Sequence, residues 1–177
     1  MHDIARDLVG VTLLVDEVGG VVVETEAYAP GDPASHSYRG RTSRNAAMFG
    51  PAGTLYVYRS YGIHWCANVV CGGDGVGAAV LLRALEPVHG VDEMRKRRGL
   101  DDVRLLCSGP GRLTQALGIT GAHDGLPLDR PPFRLLSSAR AAEVDVSRRV
   151  GITRAGDLPW RYSLRGSPYV SRPRPRA

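Results

Sequence analysis

Residues Val21–Tyr28 read VVVETEAY, and the fold is decided by how this stretch is taken. Three valines, stiff at their first side-chain torsion and at home in strands, lead into two acids. A tyrosine stands two positions past the second acid. Strand alternation puts Glu24, Glu26 and Tyr28 on one face, with Thr25 and Ala27 on the other. Acids are depleted in strands, so the pair needs a reason. Either the strand emerges into solvent and its last residues are hydrated, or a carboxylate is aimed at a reacting centre beside a ring platform. What else converges on that face decides between the two.

Working outward, Ile4–Leu8 suits a short helical turn and Leu8–Leu14 a strand. Glu17–Gly20 reads as the turn of a hairpin whose returning strand is Val21–Ala27. Residues 29–48, rich in Gly, Pro, Ser and Arg, suit a long functional loop or short helical pieces. Residues 53–70 alternate aromatic and small side chains, which predicts a second strand pair broken around Tyr61-Gly62. A glycine-rich turn at Gly72–Gly77 precedes a buried strand over Ala78–Leu85. Helices are expected near Val91–Arg98 and Arg112–Leu117, and a strand from Arg134. From Pro168 to Ala177 the chain is basic and proline-rich, which predicts a frayed tail. Strands cluster early and mix with short helices without a βαβ rhythm. The expected class is therefore α+β, a single domain over residues 1–177 with a curved, mainly antiparallel sheet surrounded by short helices.

The chain has 177 residues, enough to bury a core without staples. Its formal net charge is +5, and Lys96 is its only lysine. A basic, arginine-borne balance fits a phosphate-bearing partner contacted by bidentate and stacking groups. The three cysteines, Cys66, Cys71 and Cys107, show no C-x-x-C spacing and read as reduced thiols. No clustered His, Cys, Asp and Glu pattern suggests a metal, and no cofactor is expected. The opening MHDIARD lacks the apolar core of a secretory signal, and no run approaches membrane-spanning length.

In order, the chain carries ETEAY, His36, the arginines Arg39, Arg41 and Arg44, GTLYVYRSYG, Asn68 and VLLRALEP. LCSGP, QALGI, RVGI and RGSPYVS follow. From about Leu8 to Ser171 this ordered set resembles the alkyladenine (3-methyladenine) DNA glycosylase family of the mammalian type. The resemblance implies an enzyme that flips damaged purines out of duplex DNA and hydrolyses the N-glycosidic bond. Such chemistry needs a gap-filling side chain, a pocket for the extruded base and a carboxylate.

By that resemblance, Tyr61 is the intercalating ring, and Tyr28, Tyr58 and His36 sandwich and edge the base. Electron-rich rings bind any purine and favour cationic alkylated ones further. Glu26 is the implied general base, able to deprotonate water and to stabilise an oxocarbenium-like sugar. Arg83 is implied to bind that water and a phosphate, and Val150 to offer its carbonyl. Asn68 is implied to disfavour the amino group of normal guanine. Glu24 acquires no role beyond a structural or electrostatic one.

A lyase activity would need an amine nucleophile, and Lys96 sits among like charges far from these motifs. The reading is thus a monofunctional glycosylase acting as a monomer on alkylated or deaminated purines such as 3-methyladenine, 7-methylguanine, hypoxanthine and ethenoadenine. It would be cytoplasmic and nucleoid-associated in a bacterium, or nuclear in a eukaryote. A non-catalytic lesion-binding module and a small-nucleoside hydrolase are the alternatives. Arg59, Ser60, Ile63, His64 and Trp65, which flank Tyr61, depart from the mammalian pattern, so contacts around the probe do not carry over.

Overall fold

The computed structural model describes residues 1–138 and 141–172. A first helix α1 (His2–Asp7) leads to strands β1 (Thr12–Val15), β2 (Val18–Tyr28), β3 (Leu55–Ser60), β4 (His64–Val70) and β5 (Ala79–His89). Helices α2 (Val91–Arg98), α3 (Val103–Leu106) and α4 (Pro110–Leu117) follow, then strands β6 (Phe133–Leu136), β7 (Val144–Ser147) and β8 (Arg161–Leu164). The strands form one sheet in the order β3-β4-β5-β2-β1-β6, with β8 also on β2 and β7 outside β8. Every strand pairing is antiparallel. The α+β expectation therefore holds.

Strand β2 is the axis of the sheet. Its first half pairs with β1, its Glu24–Glu26 stretch pairs with β8, and β5 runs along its other side. The solvated-strand reading of the two acids fails, since both carboxylates are fully buried. The β2–β5 register slips three times, at Gly19/Gly20 and, around the acids, at Val22/Glu24 and Glu24/Thr25. Bulges re-aim side chains, and these let Leu82 and Leu85, three apart, both enter the main core. Arg83 between them turns to Glu24 and Glu26 instead.

One sheet face carries Leu55, Val57, Ala67, Val69, Leu82 and Leu85 against Met94, Leu106, Leu113 and Leu117 of the helices. Burying each such leucine contributes about 1.5–3 kcal/mol, so this layer fixes the sheet on which the site is built. The alternate residues Tyr56, Val70 and Ala79 pack with Met48 on a different face. Met48 comes from a 3-10 segment over Ser43–Phe49 within the long loop after β2.

Three local expectations change. The first hairpin turns at Asp16 and Glu17, both at positive φ, and Gly19 and Gly20 lie inside β2. A Cβ on Gly19 would stand 1.9 Å from the Leu13 carbonyl oxygen, and one on Gly20 1.8 Å from that of Glu86. These glycines allow close strand approach rather than a turn. The strand expected over Leu8–Leu14 spans only Thr12–Val15. The fraying expected from Pro168 is overturned at its start, because Val170 and Ser171 are buried; residues 173–177 lie outside the described residues. Among the described residues, no helix is long and apolar enough to cross a membrane.

Candidate active site

Strand alternation delivers Glu24, Glu26 and Tyr28 to one side of β2, as the sequence implies. Glu26 Oε2 accepts from the Tyr28 hydroxyl at 3.0 Å and from Arg83 Nη1 at 3.2 Å. Its Oε1 accepts from the Val150 backbone N–H at 2.7 Å. Arg83 Nη1 also points to the Val150 carbonyl at 3.5 Å. Glu26, Arg83 and Val150, 124 positions apart at the extremes, thus meet at one point.

Glu24 sits behind them. Its Oε1 accepts from Arg83 Nε at 2.8 Å, Arg161 Nε at 2.7 Å and Ser171 Oγ at 2.8 Å, and its Oε2 from the Ser171 N–H at 2.6 Å. Burial alone would push its carboxyl up. Arg83, Arg161 and the Ser171 bonds outweigh burial and hold it below the ordinary carboxylate value. At Glu26 burial wins over Arg83, the Val150 N–H and Tyr28, and nearby Glu24 adds to it, so that carboxyl lies above the ordinary value. The environment separates two carboxylates on one strand, a structural acid and a poised one.

A cavity of about 490 Å³ opens beside this point. Tyr28, His36, Tyr58, Tyr61, Asn68, Arg83 and Val150 all line it. The His36 and Tyr58 rings meet edge-on at 4.4 Å. His36 Nδ1 is 2.9 Å from the Tyr56 hydroxyl; desolvation, then nearby Arg44, push its pKa below the ordinary imidazole value, which favours the neutral ring. Asn68 donates to the Tyr56 carbonyl at 3.1 Å, which fixes its amide. Burial and Glu26 push the Tyr28 phenol up, so it stays protonated and donating. Glu26 itself does not reach the cavity wall; the three groups bonded to it do.

Tyr61 stands at the cavity mouth, 92% exposed, on the β3–β4 turn. It holds φ 50 and Gly62 φ 69, a left-handed pair that is uncommon for a bulky residue and costs backbone strain. An exposed ring on a strained turn is not a core tyrosine. Of the residues flanking Tyr61, Arg59, His64 and Trp65 brace the hairpin. The Arg59 guanidinium lies 5.5 Å from the Trp65 ring centroid. The Trp65 carbonyl accepts from Thr114 on α4 at 2.8 Å. A Cβ on Gly111 of α4 would stand 2.8 Å from the Cβ of His64, so the helix abuts the hairpin closely.

Three residues of this constellation had no sequence assignment. Arg149, Asp32 and Arg161 are buried and ion-paired around the site. The only hint was an arginine directly before Val150. Among the described residues no group of His, Cys, Asp and Glu is placed to hold a metal ion.

The slot is walled by tyrosine and histidine rings, backed by a buried carboxylate–arginine pair and fronted by an exposed ring, an arrangement suited to flat heterocycles. The methylpurine-DNA glycosylase family model matches residues 1–168. The chain belongs to that family. It is 61% identical over 173 residues to a protein of Nitrobacter winogradskyi, covering 98% of this chain and 83% of the relative. A protein of Rhodopseudomonas palustris is also 61% identical, with 98% and 86% covered. One of Agrobacterium fabrum is 59% identical, with 96% and 86% covered. Each is provisionally named a 3-methyladenine DNA glycosylase. The chain is accordingly a DNA glycosylase of base excision repair, a hydrolase of N-glycosyl bonds that acts on DNA.

Proposed function

We propose that this glycosylase is monofunctional, working as a monomer on 3-methyladenine, 7-methylguanine, hypoxanthine and ethenoadenine in duplex DNA. The observation that carries the reading is the meeting of Glu26 with Arg83 and Val150, which line a ring-lined cavity that Glu26 backs. Tyr61 enters the stack and fills the place of the departing nucleotide. The base stacks among Tyr28, Tyr58 and His36, and Asn68 stands where the amino group of guanine would crowd it. Glu26 takes a proton from a water shared with Arg83 and the Val150 carbonyl, and its charge offsets that of the oxocarbenium-like sugar. The work is assigned to the cytoplasm, at the nucleoid, a reading that the bacterial source of the relatives supports.

The direct test is a panel of duplexes, each carrying one modified purine, beside the matching free nucleosides. Excision from the duplexes alone is expected. Comparable turnover of nucleosides would reassign the cavity to a nucleoside hydrolase.

Two further results are expected. Exposed Arg44 and Arg59 line the cavity, so binding should be driven by phosphate contacts. Four contacted phosphates weaken binding by about 10²-fold between roughly 50 and 200 mM salt; a flat titration would count against this surface. Borohydride should trap no covalent adduct at Lys96, exposed on α2 beside Glu93, or at the N-terminal amine, since neither Lys96 nor Met1 lines the cavity. A trapped adduct would establish a lyase step instead.

The pH profile follows from Glu26. The base acts deprotonated, so activity falls as pH drops through a value raised by burial. Its acid limb should therefore lie above the range of a solvated carboxylate. A cationic lesion leaves without further help and should show that limb alone. Hypoxanthine, neutral, should add an alkaline limb for leaving-group protonation. Single-turnover rates across pH check both shapes, and an alkaline limb for both lesions would reject this account.

A further inference from the structure

Asp32 and Arg149 are separated by 117 positions, yet both side chains are fully buried against each other. Arg149 Nη1 bonds one Asp32 oxygen and the Ala27 carbonyl, the latter at 3.1 Å. Its Nη2 bonds Asp32 Oδ1 at 3.1 Å and the Ala155 carbonyl at 3.3 Å. The guanidinium also lies between two rings, 4.7 Å from the Tyr28 centroid and 4.9 Å from that of Trp160. Arg149 does not line the cavity whereas Tyr28 does, so it backs the ring from behind.

The pair joins two irregular segments. Asp32 belongs to the loop that carries Ala34 and His36, and Arg149 to the one that carries Val150, Gly151 and Ile152. All five of these line the cavity. The residue after Arg149 gives its N–H to Glu26 and turns its carbonyl to Arg83. A buried ion pair contributes little stability over an apolar pair of the same shape, so its worth here is placement. Only arginine offers a fork for a carboxylate together with flat faces for two rings.

We propose that the buried Asp32–Arg149 pair is a positioning device, holding the Tyr28 ring and the Val150 peptide together against Glu26. The inference rests on the roles given above to Glu26, Tyr28 and Val150. It makes Arg149 a positioning residue that never touches the reacting atoms. Displacing catalytic groups by about 1 Å can cost about 10²-fold in rate. The proton equilibrium at Glu26 reports the displacement. Glu26 faces Glu24 and Tyr28 on its own strand, Tyr58 from β3, Arg83 from β5 and the Val150 N–H, with Arg161 of β8 reaching it through Glu24. Of these, the Val150 N–H is the one that moves with residue 149.

The experiment compares Arg149→Lys with the unmodified protein in single-turnover release of 3-methyladenine from methylated duplex DNA. It also follows the melt and the Kd for a duplex with a reduced abasic site. The expected result is a rate about 10²-fold lower, duplex affinity within about threefold of the parent, and an acid limb moved to higher pH as Glu26 loses its N–H donor. A folded variant with parental rate and limb would overturn the proposal. So would a rate loss that only tracks the unfolded fraction with the limb unmoved. If Arg149→Lys does not fold, Asp32→Asn/Arg149→Gln removes both charges and buries none unpaired, and the same limb shift is expected of it. Glu26→Gln, run alongside, separates the two levels. If it still excises, the site reading fails; if it is dead while residue 149 proves indifferent, only the positioning role fails.

Discussion

Glu26→Gln is expected to abolish excision while leaving DNA binding in place. The substitution keeps the volume of a fully buried side chain that does not form the cavity wall, so the slot for the base keeps its shape. Arg83 retains Glu24 as its buried counterion, and no unpaired charge is created. On the mechanism proposed above, what is lost is the negative charge beside the forming sugar cation and the acceptor for the water's proton. General-base assistance alone contributes about 10²–10⁴-fold, and removing a preorganised electrostatic group costs a further ~3 kcal/mol. A fall of at least about 10³-fold in the single-turnover rate is expected, with duplex affinity within a few-fold of the parent. Retained excision would leave the carboxylate without a catalytic part.

The largest effect on stability falls on Glu24→Ala. This carboxylate is shared by Arg83 and Arg161 and takes two bonds from Ser171. Its removal takes a buried carboxylate away from both guanidinium groups, although Arg83 still meets Glu26. Breaking a buried pair from one side costs about 3–5 kcal/mol, against a total of about 5–15 kcal/mol for a domain. Tm should fall by roughly 10 °C, and Glu24→Gln, which keeps an oxygen for one arginine, should fall less. The sign with pH follows from the depressed folded-state value. The contribution of Glu24 is complete above the unfolded carboxylate pKa and is lost as pH falls through the folded one. Parent and variant stabilities should therefore converge in acid. A gap independent of pH would mean that packing rather than charge accounts for the loss.

Local rules made part of this molecule legible. Valine stiffness and alternation put Glu24, Glu26 and Tyr28 on one face, and helix α2 falls on the expected Val91–Arg98. The Tyr61-Gly62 break is a hairpin turn with both residues left-handed. Short polar strands were not legible: Val144–Ser147 and Arg161–Leu164 hold four residues each, and their pairing with each other and with β2 is wholly non-local. Gly19 and Gly20 read as a turn because their cause, a neighbouring carbonyl under 2 Å from a Cβ, exists only once the strands have met. The same holds for Arg149 and Arg161. Nothing near them in the chain marks which acid each meets more than 100 residues earlier.

The Ser171 bonds to Glu24 bear on how the protein comes into being. The two residues are 147 positions apart, so a chain leaving the ribosome exposes its central strand long before it makes the partner that completes it. Until Ser171 emerges, Glu24 lacks both of its Ser171 hydrogen bonds, and the loop to be closed is among the longest in the molecule. Final docking of that segment is then a late event in folding. The carboxylate that steadies Arg83 gains its last partners only when nearly all of the described chain has been made.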